Sequence, residues 1–316
     1  MASLELCKAL FKGMATYVPG LYKYLSRRAT GGTVSARYCY SVWLRHLVML
    51  HKSGFSSVPR AVAEIGPGDS LGIGLAAMLT GAESYFAFDV VLYANTKKNL
   101  EIFDELVGLF EKREKIPDAE EFPNVDPSLD SYEFPSHILT NQLLETSLRP
   151  QRLVSIRKAI VSSVPEGEIN IKYIVPWADS DVIRDGTIDL VYSQAVLEHV
   201  NDLCSTYQAL HRWLKPGGAM SHVIDFKCHD IASQWNEHWT YSDGIWKLIV
   251  GKRPYLLNRH PHSTHIEVME NCGFKIVCDI KNKGESKIER ADLAKRFRDM
   301  TDDDLITRSA FIQASK

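Results

Sequence analysis

The stretch that decides the fold begins Ala61-Val-Ala-Glu-Ile-Gly-Pro-Gly-Asp-Ser-Leu-Gly-Ile-Gly74 and ends Tyr85-Phe-Ala-Phe-Asp89. The apolar run before Gly66 fits a strand that is buried on both faces of a sheet. Gly66 and Gly68 allow backbone angles that a Cβ would forbid, and they let a ligand approach the main chain closely. Asp89 closes the second strand roughly 20 residues later, where an acid can accept hydrogen bonds from ribose hydroxyls. The pattern predicts strand, glycine turn, short helix and strand.

A resemblance to a known family follows from these residues. Glu64-Ile-Gly-Pro-Gly68 with Asp89 resembles the first two motifs of class I S-adenosylmethionine (SAM)-dependent methyltransferases. Ser70 stands where many members have a third glycine, so the chain departs from the pattern there. On the turn alone, a dinucleotide-binding dehydrogenase or a purely structural turn in an α/β protein remains an alternative.

Two later motifs decide between these alternatives. Asp185-Gly-Thr-Ile-Asp-Leu-Val-Tyr-Ser193 predicts a turn and a buried strand, and Gln194-Ala-Val-Leu-Glu-His-Val200 follows it. Leu210-His-Arg-Trp-Leu-Lys-Pro-Gly-Gly218 then predicts a helix end and a turn into another strand. This pair, at this separation, resembles the small-molecule, type 11-like branch of the same methyltransferases, and dehydrogenases do not need it. The resemblance implies a Rossmann-like α/β fold with a seven-stranded, mostly parallel sheet whose last strand is antiparallel.

The resemblance also implies SAM as cofactor and a set of residues that bind it. Glu64 would orient the amino-acid end of the cofactor through the turn, and Asp89 would bind the ribose. Trp177 and Asp179 would lie beside the adenine ring, and Gln194 would sit close to the methyl group. The full predicted set is Glu64, Gly66, Gly68, Asp89, Val90, Trp177, Asp179 and Gln194.

Candidate catalytic residues follow the fifth strand. Ligands of open α/β sheets lie outside the carboxyl ends of the strands, so Asp225 and His229 point toward the predicted pocket. Either side chain can take a proton from an acceptor hydroxyl or amine. His222 lies one alternation further in and is a candidate substrate residue. The alternatives are that His222 is a core residue and that Asp225 caps the following turn.

Further candidate substrate residues lie at both ends of the chain. Arg259 and His262, with His260 between them, would hold an anionic or polyhydroxylated acceptor. Tyr38 would contact the substrate from the N-terminal segment. The nearby histidines lack a carboxylate–histidine pattern with ligand spacing, so we predict no metal.

The domain organisation predicted from the sequence has two parts. Residues 1–57 would form an N-terminal helical cap that lies over the cofactor, although these side chains could instead simply pack onto the domain. Residues 58–316 would form the methyltransferase domain, with insertions at about 100–165 and 230–265 near the pocket mouth. We also predict a surface helix over the charged segment Ile288 to Leu305 and another helix over Ser136 to Ser147.

Composition limits the classes of partner. The chain has 316 residues, of which 45% are hydrophobic and 24% charged, with a formal net charge of −2. A net charge this close to zero does not attract the protein as a whole to nucleic acid or to a membrane. Residues 1–60, however, are locally basic, with nine Lys or Arg and one acid. Six scattered cysteines without a C-x-x-C pair fit a reduced, cytoplasmic protein. No apolar run of about 18 residues predicts a membrane span.

The predicted function is methyl transfer from SAM to O or N of a small-molecule or sugar-containing acceptor. A methyltransferase acting on RNA or protein, supported only by the basic N-terminal segment, is the alternative, as is a non-catalytic cofactor-binding protein. Nucleic acid is the less favoured partner because no Asn-Pro-Pro-Tyr type motif is present. The oligomeric state and the identity of the acceptor stay open.

Overall fold

The structure is a computed structural model, and it describes residues 4–18, 20, 32–162, 167–177, 180–253 and 255–316. Seven strands form one sheet in the order β3-β2-β1-β4-β5-β7-β6. The strands from β3 to β5 pair in parallel, and β7 runs antiparallel to both β5 and β6. The predicted fold class is therefore confirmed. The strands are β1 Ala61–Ile65, β2 Ser84–Phe88, β3 Asn170–Ile174, β4 Ile188–Gln194, β5 Leu214–Asp225, β6 Lys275–Lys283 and β7 Thr307–Ser315.

Helices cover both faces of this sheet. Because side chains alternate along a strand, Val62 of β1 faces one core and Ala63 faces the other. The first core takes in α2 to α6, and the second takes in α7 and α9. The helices are α1 Leu4–Ala15, α2 Ala36–Lys52, α3 Gly72–Leu79, α4 Thr96–Lys112, α5 Asn141–Ser147, α6 Pro150–Ser162, α7 Leu203–Trp213, α8 Asp243–Val250, α9 His262–Asn271 and α10 Asp302–Ile306.

Helix α3 packs closely on β2 and on α2 because two of its positions lack a side chain. A Cβ on Gly74 would overlap the ring of Tyr85, and one on Gly72 would overlap the sulfur of Cys39. The amide of Leu71 at the start of the helix donates to Asn99 Oδ1 at 2.9 Å. Both glycines weaken the helix intrinsically, but Gly74 allows its close approach to β2 and Gly72 its close approach to α2.

The N-terminal segment has two different environments. Helix α2 is buried in the same core as the sheet, and twelve of its residues are buried. Helix α1 instead packs against α8, around a small separate core that includes Ala9, Trp246 and Ile249. Residues 36–57 therefore share their core with the sheet. The predicted domain boundary at residue 57 stays a prediction.

The acidic segment after α4 is irregular, but it is anchored to the core. Arg45 of α2, which is 1% exposed, donates to the carbonyls of Val125 at 2.8 Å, Pro127 at 2.7 Å and Pro117 at 3.1 Å. One buried guanidinium thus satisfies three main-chain carbonyls of this loop.

Two predicted helices differ from the structure. The segment from Ile288 to Leu305 contains only short 3₁₀ turns before α10, since Leu293 and Phe297 turn into the second core. The helix predicted over Ser136 to Ser147 begins only at Asn141, where the side chain of Thr140 caps it. Within the described part of the chain, no helix is long and apolar enough to cross a bilayer.

Candidate functional site

The glycine turn lies at the carboxyl edge of the sheet between β1, β2 and the segment after β4. Gly66 and Gly68 have φ values of 68° and 72°, which is the left-handed region that glycine tolerates. The amide of Gly66 donates to the carbonyl of Phe88 at 2.7 Å. A Cβ on Gly66 would lie 2.5 Å from Val196 Cγ2. The turn is therefore closely surrounded, and its peptide groups are held in a fixed direction.

Sequence reasoning missed a contact between the N-terminal segment and this turn. Thr33 is buried, and its hydroxyl donates to the carbonyl of Pro67 at 2.7 Å and accepts from the amide of Ser70 at 2.9 Å. The Ser70 hydroxyl donates in return to the carbonyl of Thr33. Ser70, at the position of the family's third glycine, thus fixes the turn to the segment before α2. No local motif around Thr33 signals this role.

Asp89 lies where the sequence placed it, at the end of β2 beside the turn. Its Oδ1 accepts from the amides of Val90 at 2.7 Å and Val91 at 3.3 Å. Burial raises the pKa of Asp89, while hydrogen bonding from the amides of Val91, Val90 and Gly68 partly offsets that increase. The amide of Gly68 thus reaches the same carboxyl group, so the structure brings together the two features on which the cofactor prediction depends. Val90 itself is exposed beside them.

Glu64 lies beneath the turn rather than in an open pocket. Its carboxyl group is buried and accepts from the hydroxyls of Tyr85 and of Tyr192, the latter at 3.0 Å. Burial raises the pKa of Glu64 to about 7, against the opposing effect of the two tyrosine hydrogen bonds and the Gly74 amide. An action of Glu64 on the cofactor would therefore pass through the turn, as the prediction states.

Of the two residues predicted for the adenine side, the structure describes one. The amide of Trp177 donates to the carbonyl of Asp89 at 2.8 Å, and its ring packs against Phe88 and Trp213. Trp177 is thus held next to the end of β2. Asp179 lies outside the described residues.

Gln194 ends β4 and meets a buried histidine of α2. His46 Nε2 lies 3.3 Å from Gln194 Oε1, and His46 Nδ1 lies 2.7 Å from the hydroxyl of Ser221. Burial lowers the pKa of His46 to about 4, so the imidazole is neutral at pH 7. Because an amide oxygen only accepts, this geometry assigns the proton to Nε2. The next residue, Ala195, has a φ of 54°, a strained conformation that is common at functional sites.

Asp225 and His229 come together after β5. His229 Nε2 lies 3.3 Å from Asp225 Oδ2, and Lys227 Nζ lies 3.1 Å from the same oxygen. Burial raises the pKa of Asp225, but the hydrogen bond from His229 and the charge of Lys227 outweigh it, so the pKa lies below its ordinary value. His229 has a φ of 48° and is partly exposed. Asp225 is thus a carboxylate that orients His229.

The motif after β4 supplies a second histidine to this site. The ring of His199 lies 5.3 Å from that of His229 and 5.9 Å from that of Tyr255, and the Tyr255 hydroxyl meets that of Tyr93. Burial lowers the pKa of His199 to about 4, and the neighbouring His229 adds to this effect. His199 was visible in the Val-Leu-Glu-His-Val motif, but sequence reasoning gave it no role.

Glu198 precedes this histidine and is fully enclosed. Its two carboxyl oxygens have no well-formed hydrogen bond to the part of the chain that the structure describes. Burial raises the pKa of Glu198 well above its ordinary value, and the charge of Asp225 raises it further. Burial therefore favours the protonated form of Glu198.

Three of the predicted substrate residues have their polar groups engaged by the protein or buried. His222 is fully buried with Nδ1 2.8 Å from the hydroxyl of Ser193, which corresponds to the core alternative. His262 Nε2 lies 2.9 Å from Asp279 Oδ1, and Arg259 Nη2 lies 2.8 Å from Asp243 Oδ1. We find no geometry that brings these three side chains to the site around His229.

Tyr38 is the fourth predicted substrate residue. Its ring packs edge-on against Phe122 at 5.5 Å. Burial raises its pKa to about 12, and the nearby charges of Cys39 and Glu64 add to the effect. Tyr38 therefore lies near the glycine turn as a neutral phenol. Among the described residues, no group of three or more His, Cys, Asp or Glu is arranged to hold a metal ion.

Part of the chain is similar to a known protein family. Residues 142–221 match the family model Methyltransf_11, described as a methyltransferase domain. That segment contains β3, β4 and both later sequence motifs, but not the glycine turn. A search of curated proteins finds no match.

Several solved structures resemble the chain. A putative sarcosine dimethylglycine methyltransferase from Galdieria sulphuraria is 14% identical, with 87% of this chain and 84% of that chain covered and a TM-score of 0.45. A SAM-dependent methyltransferase from Methanosarcina mazei is 13% identical, with coverage of 85% and 96% and a TM-score of 0.43. Phosphoethanolamine N-methyltransferase 2 from Haemonchus contortus, in complex with SAM, is 14% identical, with coverage of 89% and 57% and a TM-score of 0.43.

The strand order and the family match both bear on the predicted class of protein. The match falls on the later motifs, and the sheet carries the antiparallel last strand that the class I resemblance implied. Together they support the predicted class: residues 142–221 match a methyltransferase domain, and the sheet has the strand order that the resemblance implies.

Proposed function

We propose that the protein transfers a methyl group from SAM to an oxygen or nitrogen atom of a small-molecule acceptor, such as a sugar-containing metabolite, in the cytoplasm. The observation that carries the proposal is the convergence of the glycine turn, Asp89 and the Asp225–His229 pair at one edge of the sheet. In open α/β sheets this edge is where ligands bind.

The residues around the turn fit SAM. Positive φ values at Gly66 and Gly68 leave peptide groups for the amino-acid end of the cofactor, and Asp89, directly after β2, would accept hydrogen bonds from the ribose. Trp177 would cover one side of the base. When bound, SAM supplies a methyl group on an electrophilic sulfonium, so the main task of the protein is to align the acceptor. Such alignment can lower the activation barrier by about 7–11 kcal/mol.

His229 is the group that we assign to proton removal. Because Nε2 faces Asp225, that carboxylate holds the proton on Nε2 and leaves Nδ1 to accept a proton from the acceptor hydroxyl or amine. Asp225 then stabilises the imidazolium that forms. Its lowered pKa suits this orienting role better than the role of the base itself. Gln194, fixed by His46, would border the methyl group.

The test separates cofactor binding from turnover. His229→Gln removes the proton acceptor, and we expect SAM binding to be unchanged while turnover in a metabolite screen falls by about 10²- to 10⁴-fold. Asp225→Asn should reduce turnover and change its pH profile, because the orientation of the imidazole is lost. Full turnover of His229→Gln would exclude this residue as the base.

A further inference from the structure

A cleft is formed in part by the loop that contains Tyr255 and Asn258. Its polar lining consists of Asn201, Arg253, Tyr255, Asn258, His260 and Arg296, and the rest of its lining is apolar. No Asp or Glu side chain belongs to this lining in the described part of the chain. The guanidinium of Arg253 donates to the carbonyls of Ile249 and Val250, so Arg296 is the lining arginine that we consider for ligand binding.

One wall residue of the cleft, Tyr255, lies close to the candidate catalytic residues. Tyr255 in its wall lies 5.9 Å, ring to ring, from His199, which in turn contacts His229. The Asn258 side chain donates to the carbonyls of Leu197 and Val200, each at 2.8 Å. The loop that forms the cleft is thus fixed to the motif that follows β4, so a molecule in the cleft would have a defined distance to His229.

The charge of Arg296 is only weakly balanced by its surroundings. Arg296 is partly exposed, and Asp243 lies 3.8 Å away while making a closer pair of 2.8 Å with Arg259. The guanidinium of Arg296 also lies 5.1 Å from the ring of Phe297, which limits its freedom. Burial lowers the pKa of His260, and the charges of Arg296 and Arg259 lower it further. The local potential at the cleft is therefore positive.

We propose that this cleft binds a phosphate group carried by the methyl acceptor, with Arg296 as the principal ligand and His260 and Asn201 beside it. The inference rests on the proposed function and narrows its substrate class to phosphorylated small molecules. A guanidinium offers paired donors that match the oxygens of a phosphate. The apolar part of the wall would contact the rest of the acceptor, whose nucleophilic atom would reach His229. Arg259, which the sequence predicted for anion binding, is buried, does not line the cleft and forms an ion pair with Asp243.

The test uses the full chain and titrates inorganic phosphate, and separately pyrophosphate, by calorimetry. We expect Arg296→Gln to weaken pyrophosphate binding at least tenfold, Arg296→Lys to keep part of it, and higher NaCl to weaken it in the wild type. Arg298→Gln, which changes an exposed arginine two residues away that does not line the cleft, is the matched control and should bind as the wild type does. In NMR titrations, bound phosphate should raise the pKa of His260.

Titration of the same samples with S-adenosylhomocysteine keeps the two proposals apart. Normal nucleoside binding with no anion binding, or with anion binding unaffected by Arg296→Gln, overturns the cleft assignment and leaves the proposed function intact. Anion binding that depends on Arg296 in a protein that does not bind the nucleoside would support the cleft and overturn the proposed function.

Discussion

Substitution of Gly66 by alanine tests whether the turn is fixed as the structure shows. Left-handed backbone costs a residue with a Cβ about 1–2 kcal/mol. At Gly66 the added carbon would also lie 2.5, 2.7 and 3.2 Å from three atoms of Val196, and such overpacking costs about 1–3 kcal/mol. We therefore expect Gly66→Ala to lower the free energy of unfolding by about 2–5 kcal/mol, measured by urea denaturation.

A matched control separates the two costs. Gly217 has a φ of 76°, but a Cβ at this position would meet no atom within 4 Å, so Gly217→Ala should cost only the backbone part, about 1–2 kcal/mol. Adding Val196→Ala to Gly66→Ala should recover part of the loss by making room. The reasoning is refuted when Gly66→Ala costs no more than Gly217→Ala, or when Gly66→Ala binds S-adenosylhomocysteine as tightly as the wild type.

Two further predictions concern stability. Glu64, with its folded-state pKa raised to about 7 from an ordinary 4.5, provides stability that is present below pH 4.5 and lost as pH rises through 7. Relative to the wild type, Glu64→Gln should gain ~2 kcal/mol of unfolding free energy between pH 5 and 8; a pH-independent difference in chemical denaturation would contradict this. Arg45→Ala should cost ~3 kcal/mol or more and speed proteolysis within residues 115–132, because three buried carbonyls lose their donor. Arg37→Ala, which removes an exposed pair with Glu121 on the same loop, is the control and should cost about 0–1 kcal/mol; equal effects would argue against the buried anchor.

Strands β1 and β4 could be predicted because each is a short apolar run with a turn signal beside it. The predicted β1 coincides with the observed Ala61–Ile65, and β4 differs by one residue, since Gln194 still pairs with Val223 of β5. Strand β5 is longer than predicted, because the Pro-Gly-Gly turn itself continues the strand from Leu214. The local sequence pattern was sufficient to predict a strand where both faces of that strand are buried.

A tertiary contact explains why the helix predicted over Ile288 to Leu305 does not form. The charged segment before Leu305 has helical composition, but burial of Leu293 and Phe297 in the second core breaks it into short turns. Arg259 and His262 have the residue types of an anion site, yet their partners Asp243 and Asp279 are distant in sequence. No local pattern reveals such pairs.

The position of a site residue could be predicted where a sequence motif determines its place in the fold. Asp89 lies beside the glycine turn because β1 and β2 are adjacent parallel strands. Thr33 could not be found, since its contact with Ser70 spans 37 residues without any periodic signal. His199 and Tyr255 meet only because Asn258 ties their loops together.

The most direct test is calorimetric titration of S-adenosylhomocysteine into the wild type and Asp89→Ala. A carboxylate that accepts hydrogen bonds from the ribose contributes about 1.5–3 kcal/mol, and ~1.4 kcal/mol is one decade in affinity. We predict binding to the wild type and at least tenfold weaker binding to Asp89→Ala, with normal folding of the variant. Equal affinity for the two proteins, or no binding to the wild type, would contradict the placement of SAM against Gly66, Gly68 and Asp89.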